Sequence, residues 1–177
     1  GNTIGVGSRF RLYKRTAPVL VDYTVSGSAI TTFDITSLNI QKDSLYRLDL
    51  YALFTSNAFI MGFVNNNNTQ TNYYTQSLYS DGTATNAERQ NYPAIGTGHI
   101  TSEGTGHNFS SIYIGVNNNG YAYFISDTIR SLGGTTNSME LRFYRSKSTF
   151  IAGYIYAIRL SANSFGIGSR FQLIKLR

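Results

Sequence analysis

An all-β fold, two antiparallel sheets packed as a sandwich of jelly-roll type, is what this chain of 177 residues predicts. Three observations lead there. Apolar residues alternate with period two along many short runs, as half-buried strands require. Turn formers stand between these runs. Helical periodicity is hard to find anywhere. A closed barrel is the alternative that the same pattern allows.

The runs come in order. PVLVDYTV (18–25) and AITTFDI (29–35) are separated by Ser26 and Gly27. In SLYRLDLYALF (44–54), Tyr46, Leu48, Leu50, Ala52 and Phe54 fall on one face, and Arg47, Asp49 and Tyr51 on the other. AFIMGFV (58–64) ends at four asparagines, Asn65 to Asn68. SSIYIGV (110–116) and YAYFIS (121–126) flank NNNG, whose Asn and Gly tolerate positive φ, so 110–126 reads as a hairpin. MELRFY (139–144) and IAGYIYAIRL (151–160) follow, and the two terminal segments bring the count to about ten strands. From Tyr79 to Asn108 no period holds, which predicts a long loop with a short strand near Ile95 to Ile100.

Composition narrows the function. Hydrophobic residues make up 41% and charged residues 14%, well below the roughly 25% of ordinary soluble proteins, so the surface is neutral and polar. Cysteine is absent and His occurs twice, which leaves no disulfide, no thiolate site and little metal chemistry. The net charge of +6 invites nucleic acid, but its distribution argues against that partner. Arg9, Arg11, Lys14 and Arg15 lie in the opening segment and Arg170, Lys175 and Arg177 in the closing one, with no basic run. No stretch approaches the ~20 apolar residues of a membrane span.

Those two segments repeat each other. IGVGSRFRLYKR (4–15) and FGIGSRFQLIKLR (165–177) share Gly5, Gly7, Ser8, Arg9, Phe10, Leu12 and Lys14 with Gly166, Gly168, Ser169, Arg170, Phe171, Leu173 and Lys175. Phe and Leu two apart make a core-facing strip, and Gly-x-Gly suits a bend into the sheet. If the motif is the last strand of a domain, residues 1–15 are the last strand of a preceding domain or a linker strand, and the sandwich occupies 16–177. The alternative places both copies in one sheet. On a strand of this register Arg9, Arg11 and Tyr13 are expected to point away from the core face, which makes them the candidate contacts to a neighbouring domain or subunit.

GSRFRLYK (7–14) and GSRFQLIK (168–175) resemble the closing strand of a β-rich domain in structural proteins of tailed bacteriophages, chiefly tail-fibre and other virion surface proteins. FIMGFVNNNNTQTNYYTQ (59–76) is similar to that group's strand, Asn-rich turn and N-Y-Y segment, and Tyr46–Phe54 and IRLSA (158–162) stand in comparable order. The likeness covers most of 30–177. It departs at Asn67 and Asn68, where the family pattern has an Asp in the turn, and without that carboxylate a cation there is not expected. The resemblance implies a non-enzymatic protein of the virion surface and does not identify a ligand; no cofactor is expected, and the expected partners are other virion proteins and host surface polysaccharide. It also implies a homo-oligomer, with a trimer as first guess.

Candidate chemistry is concentrated in Leu50 to Ser80, which holds no Asp, Glu, Lys, Arg or His. Asn65, Asn66, Asn67, Asn68 and Asn72 offer paired donors and acceptors beside Tyr73, Tyr74 and Tyr79, whose ring faces suit the apolar C–H patches of sugars. The same residues also serve as turn formers and strand residues. His99, Glu103 and His107 are spaced for one face of a helix, but the intervening glycines make a helix implausible, so no metal site is assigned. The acids show no spacing that speaks for glycoside hydrolysis, and no nucleophile motif is present. Attachment to host glycans is therefore the leading expectation. The alternatives are a capsid or tail decoration protein and a carbohydrate-binding module of another surface protein.

Overall fold

The structure, a computed structural model, describes residues 17–54, 58–65, 73–80, 85–92, 95–100, 106–131 and 139–177. Arg9, Arg11, Tyr13, Asn66, Asn67, Asn68 and Asn72, and with them the expectation for residues 1–15, lie outside these. Among the described residues there is no helix, and every strand pair is antiparallel. Two sheets form a sandwich.

The described residues form twelve strands: β1 (Val19–Thr24), β2 (Ile30–Ile35), β3 (Leu45–Phe54), β4 (Ala58–Val64), β5 (Tyr73–Ser80), β6 (Thr85–Tyr92), β7 (Ile95–Ile100), β8 (Gly106–Val116), β9 (Tyr121–Ser131), β10 (Met139–Ile151), β11 (Ile158–Phe165) and β12 (Arg170–Lys175). The small sheet runs β2-β11-β4-β7, and the large one β1-β12-β3-β8-β9-β10-β5-β6. Successive strands change sheet through β1 to β5 and again through β10 to β12. The last two strands return between the first four, β11 between β2 and β4, β12 between β1 and β3. That wrap makes the sandwich jelly-roll-like.

The core is the inner strip of each alternating strand. Leu48, Leu50 and Ala52 of β3, Ile112 and Ile114 of β8, Leu160 and Phe165 of β11, and Phe171 and Leu173 of β12 are buried. Phe171 joins the two layers: its ring stacks on Phe33 of β2 at 4.2 Å and meets Phe165 edge-on at 5.1 Å. Each such aromatic pair adds about 0.5–1.5 kcal/mol beyond area burial. The hairpin over 110–126 is present as β8–β9. Gly120 turns with φ +80°, and Asn117 Oδ1 accepts from the Asn119 and Tyr121 amides.

The expected loop from Tyr79 to Asn108 needs correction. It contains the whole of β6 and the start of β8, besides β7 at the place expected of a short strand. β6 reads TNAERQNY, polar at almost every position; it is the border strand of the large sheet among the described strands, and Thr85, Ala87 and Arg89 are exposed. Edge strands are kept polar against unwanted pairing, and that erases the alternation. The run 151–160 is also not one strand. β10 ends at Ile151, the chain turns at Gly153 with φ +66°, and β11 begins at Ile158.

The large sheet is twice as wide as the small one, and its far half carries an unusual inner face. Ser110, Ser126, Thr128, Ser146, Thr75 and Ser77 are buried there. Most of these hydroxyls meet a neighbour: Ser110 Oγ donates to Asn108 Oδ1 (2.8 Å) and lies 2.9 Å from Thr128 Oγ1, Ser126 Oγ lies 3.2 Å from Thr128 Oγ1, and Thr75 Oγ1 lies 2.8 Å from Ser146 Oγ. With the inside hydroxyl-rich, large apolar and aromatic side chains of these strands stand on the outside.

Candidate functional site

The outer face of β9, β10, β5 and β6 is concave. A trough of about 680 Å³ lies between Tyr123 of β9, Arg145 and Lys147 of β10, Tyr74 and Gln76 of β5, and Arg89 of β6, with Ile125 in its lining. Strand parity puts these side chains together. Successive residues of a strand point to opposite faces, and the register pairs Tyr123 with Lys147 and Lys147 with Tyr74, then Ile125 with Arg145, Arg145 with Gln76 and Gln76 with Arg89. One row is aromatic with a cation in the middle. The next has an amide between two guanidinium groups.

Each polar group is held by its neighbours. With its amide turned so that Oε1 faces β6, Gln76 accepts from Arg89 Nε (3.2 Å) and Nη2 (3.3 Å). Arg145 Nη1 donates to the Tyr144 carbonyl at 3.1 Å and stands 3.7 Å from Asp127. Lys147 Nζ lies 4.1 Å from the centre of the Tyr121 ring, a cation–π distance. Asp127 is thus the one described carboxylate near three cations, and no described carboxylate pairs with Arg89 or Lys147.

Tyr123 is positioned by a missing side chain. Its cross-strand partner is Gly115, and a Cβ there would sit 2.6 Å from Cζ of the tyrosine ring. The ring therefore lies over the backbone of β8 instead of standing off the sheet. A glycine in a strand interior costs stability, and here it makes a seat for an aromatic ring.

The residues singled out from the sequence part company. Tyr74 is 56% exposed and lines the trough. Tyr73, one position earlier, faces inward: it is fully buried, its hydroxyl accepts the Val64 amide at 3.0 Å, and its ring meets Phe150 edge-on. Burial pushes its phenol up to about 12, against which the Val64 hydrogen bond acts. Tyr73 is a core residue, which corrects the expectation that it presents a ring to a ligand. Tyr79 is half-buried on the inner face, with the Arg142 guanidinium 4.1 Å from its ring centre. Asn65, at φ +54°, spends its amide inside the fold, donating to the Tyr154 carbonyl (2.7 Å) and accepting from the Tyr156 amide (2.8 Å). Sequence reasoning passed over Tyr123, Arg89, Arg145 and Lys147, although outward parity in 121–126 already placed Tyr123 opposite the core.

His107 of β8 hydrogen-bonds with Tyr51, its Nδ1 2.7 Å from the tyrosine hydroxyl, and His99 belongs to a different strand. Among the described residues no cluster of three potential metal ligands occurs. Asp22, Asp34, Asp49 and Asp127 pair with Arg170, Arg159, Arg47 and Arg145 and not with one another.

A second outer feature adjoins the trough. Tyr51, Phe109, Ile129 and Leu141 are direct cross-strand partners in β3, β8, β9 and β10, and all four are exposed. Phe143 and Leu78, partners in the neighbouring row, extend this apolar stripe toward β5.

Comparison with known proteins gives no relative: no protein-family model, curated protein or solved structure matches the chain.

Proposed function

We propose that this chain is a non-enzymatic attachment domain that binds saccharide in the trough on the outer face of β9, β10, β5 and β6, as the surface protein of a tailed-phage virion would. The observation that carries the reading is Tyr74, exposed beside the Gln76 amide and opposite the seated Tyr123 ring in a concavity of about 680 Å³. Ring faces stack on sugar C–H patches, and an amide reads hydroxyl pairs. Such sites bind shallowly and weakly. A virion compensates by presenting linked copies, which raises effective concentration without new contacts. The virion assignment itself rests on the resemblance of the GSRF-containing segments and of 59–76.

The test is a glycan array probed with the native chain and with Tyr74→Ala. Binding to a defined set of glycans that the substitution abolishes, with the melting temperature unchanged, supports the reading. An array without signal at multivalent display, or binding indifferent to Tyr74, sinks it.

A second reading, a decoration protein held by other virion proteins, is favoured by the apolar stripe of Tyr51, Phe109, Ile129 and Leu141. Antiparallel sheets normally turn a polar face to water, and a contiguous apolar patch marks an interaction surface. The two readings are compatible, since the rows of Tyr123 and Arg145 and the row of Tyr51, Phe109, Ile129 and Leu141 are different rows of one face.

A further inference from the structure

The trough does not end at Arg145 and Arg89. Both side chains also line a second hollow of about 560 Å³, whose other walls include Leu78, Ala87 and Phe143. The two form one groove running along the strands. From Tyr74 to Leu78 it follows four residues of β5, ~14 Å at about 3.4 Å per residue. Its character changes along that length: aromatic at Tyr123 and Tyr74, cationic at Arg145 and Arg89, apolar at Phe143 and Leu78. A groove of this length, open along its axis, suits a linear chain of sugar units better than a single ring.

From this groove we infer that the saccharide is acidic, a linear glycan carrying a carboxylate on the unit that lies between Arg145 and Arg89; the inference rests on the saccharide reading above. Among the described side chains the trough has three cations, Arg89, Arg145 and Lys147, and one carboxylate nearby, Asp127, 3.7 Å from Arg145. Gln76 holds the Arg89 fork toward β10, and both guanidinium groups stand on the same row as Gln76, one on each side. A guanidinium carries five N–H donors, of which Gln76 and the Tyr144 carbonyl take only some, so each arginine keeps donors and a charge that a carboxylate matches and a neutral sugar does not. The flanking rows carry the neutral work: a ring face on Tyr123 at one end, C–H edges on Phe143 and Leu78 at the other.

The experiment uses two probes that differ only in charge: a six-residue oligogalacturonide, and the same oligomer after its carboxyl groups have been reduced to neutral galactose. Calorimetric titration of the whole chain at low salt is expected to give about tenfold tighter binding of the acidic oligomer, the sum of two exposed charge-assisted contacts. That advantage disappears at high salt and in the R89Q/R145Q double variant, whose melting temperature is measured alongside. Tyr123→Ala weakens both oligomers alike. Equal binding of the two oligomers overturns the acidic assignment and leaves the saccharide reading standing. Failure of both to bind at millimolar concentration overturns the two together. Equal competition by inorganic phosphate would show an anion site without sugar recognition, which also overturns the inference.

Discussion

The hydroxyl of Ser169 accepts the Leu53 amide at 2.9 Å and faces the Leu53 carbonyl at 3.4 Å, so one small side chain closes the gap between the turn before β12 and the end of β3. Ser169 is fully buried. The glycines on either side belong to the same contact. A Cβ on Gly166 would sit 3.1 Å from the Leu53 carbonyl oxygen, and Gly168 takes φ +94° with Leu53 Cδ1 2.9 Å from where its Cβ would be. Next in line, Arg170 pairs with Asp22 of β1 through two hydrogen bonds, and Phe171 and Leu173 enter the core. Every residue of the Gly-x-Gly-Ser-Arg-Phe-x-Leu motif is thereby accounted for as a requirement for seating an interior strand.

Ser169→Ala is expected to destabilise the sandwich by about 1–2 kcal/mol, because the Leu53 amide then has no acceptor and is already partly withdrawn from water. Urea unfolding should show a lower midpoint with an unchanged slope. A midpoint equal to that of the native chain would remove the hydroxyl from the account of the motif.

Tyr73 predicts an alkaline limb. Its folded phenol is raised to about 12 from an ordinary 10.0 by burial. A raised value means that the folded state holds the proton longer, so this contribution is complete below pH 10 and is lost as pH climbs toward 12. Tyr73→Phe lacks the hydroxyl and should be less stable than the native chain at neutral pH by about 1 kcal/mol, for the Val64 amide it strands. The gap should narrow between pH 10 and 12, which chemical denaturation across that range would reveal.

Acid acts through Asp34. Hydrogen bonds from Arg159, at 2.6 and 2.8 Å, hold its carboxyl below the ordinary 3.8, with the attraction of the guanidinium charge adding to them and burial opposing. A lowered value means stability present above pH 3.8 and lost as pH falls further. The pair is exposed, so Asp34→Asn should change stability at pH 7 by less than about 1 kcal/mol. Its acid unfolding curve should lose part of the steepness below pH 3.8 that the native chain shows.

Gly115→Ala separates platform from fold. The added methyl collides with the outer end of Tyr123, a side chain free to swing away, so the sheet should keep its melting temperature within a few degrees. Saccharide binding should fall several-fold, as Tyr123→Ala makes it fall. Retained affinity would mean that the ring need not lie over β8.

Phe109→Thr with Ile129→Thr tests the stripe. Both residues are direct partners on the outer face, and Thr keeps strand propensity there. Sedimentation velocity should show any self-association of the native chain disappear in the double variant while the circular dichroism stays that of a β protein. Identical sedimentation at high concentration would leave the stripe without a role in self-assembly.

Period two in 44–54, 110–116 and 121–126 made the core legible in advance, since Leu48, Leu50, Ile112, Ile114 and Phe124 all lie inward as alternation demands. β6 was not legible, because it borders the large sheet among the described strands, and an edge strand kept polar against unwanted pairing loses its alternation. For the site, the sequence pointed to a segment and not to a face. Tyr73 and Tyr74 look equivalent when read as composition; parity makes one core and the other surface, and which is which follows from register against β10. The cations of the trough arrive from β6 and β10, and such cross-strand adjacency is carried by pairing that no local pattern encodes.

β12 is flanked on both sides by strands that precede it by more than a hundred residues, Asp22 opposite Gln172 and Leu48 opposite Leu173. Ribosomes deliver polypeptide from the amino end, so the seat between β1 and β3 stays vacant until Lys175 has cleared the exit tunnel. Until then the borders of β1 and β3 that β12 fills lack their partner, a state that invites aggregation. Deleting β12 from the chain should therefore yield insoluble product, not a slightly reduced domain.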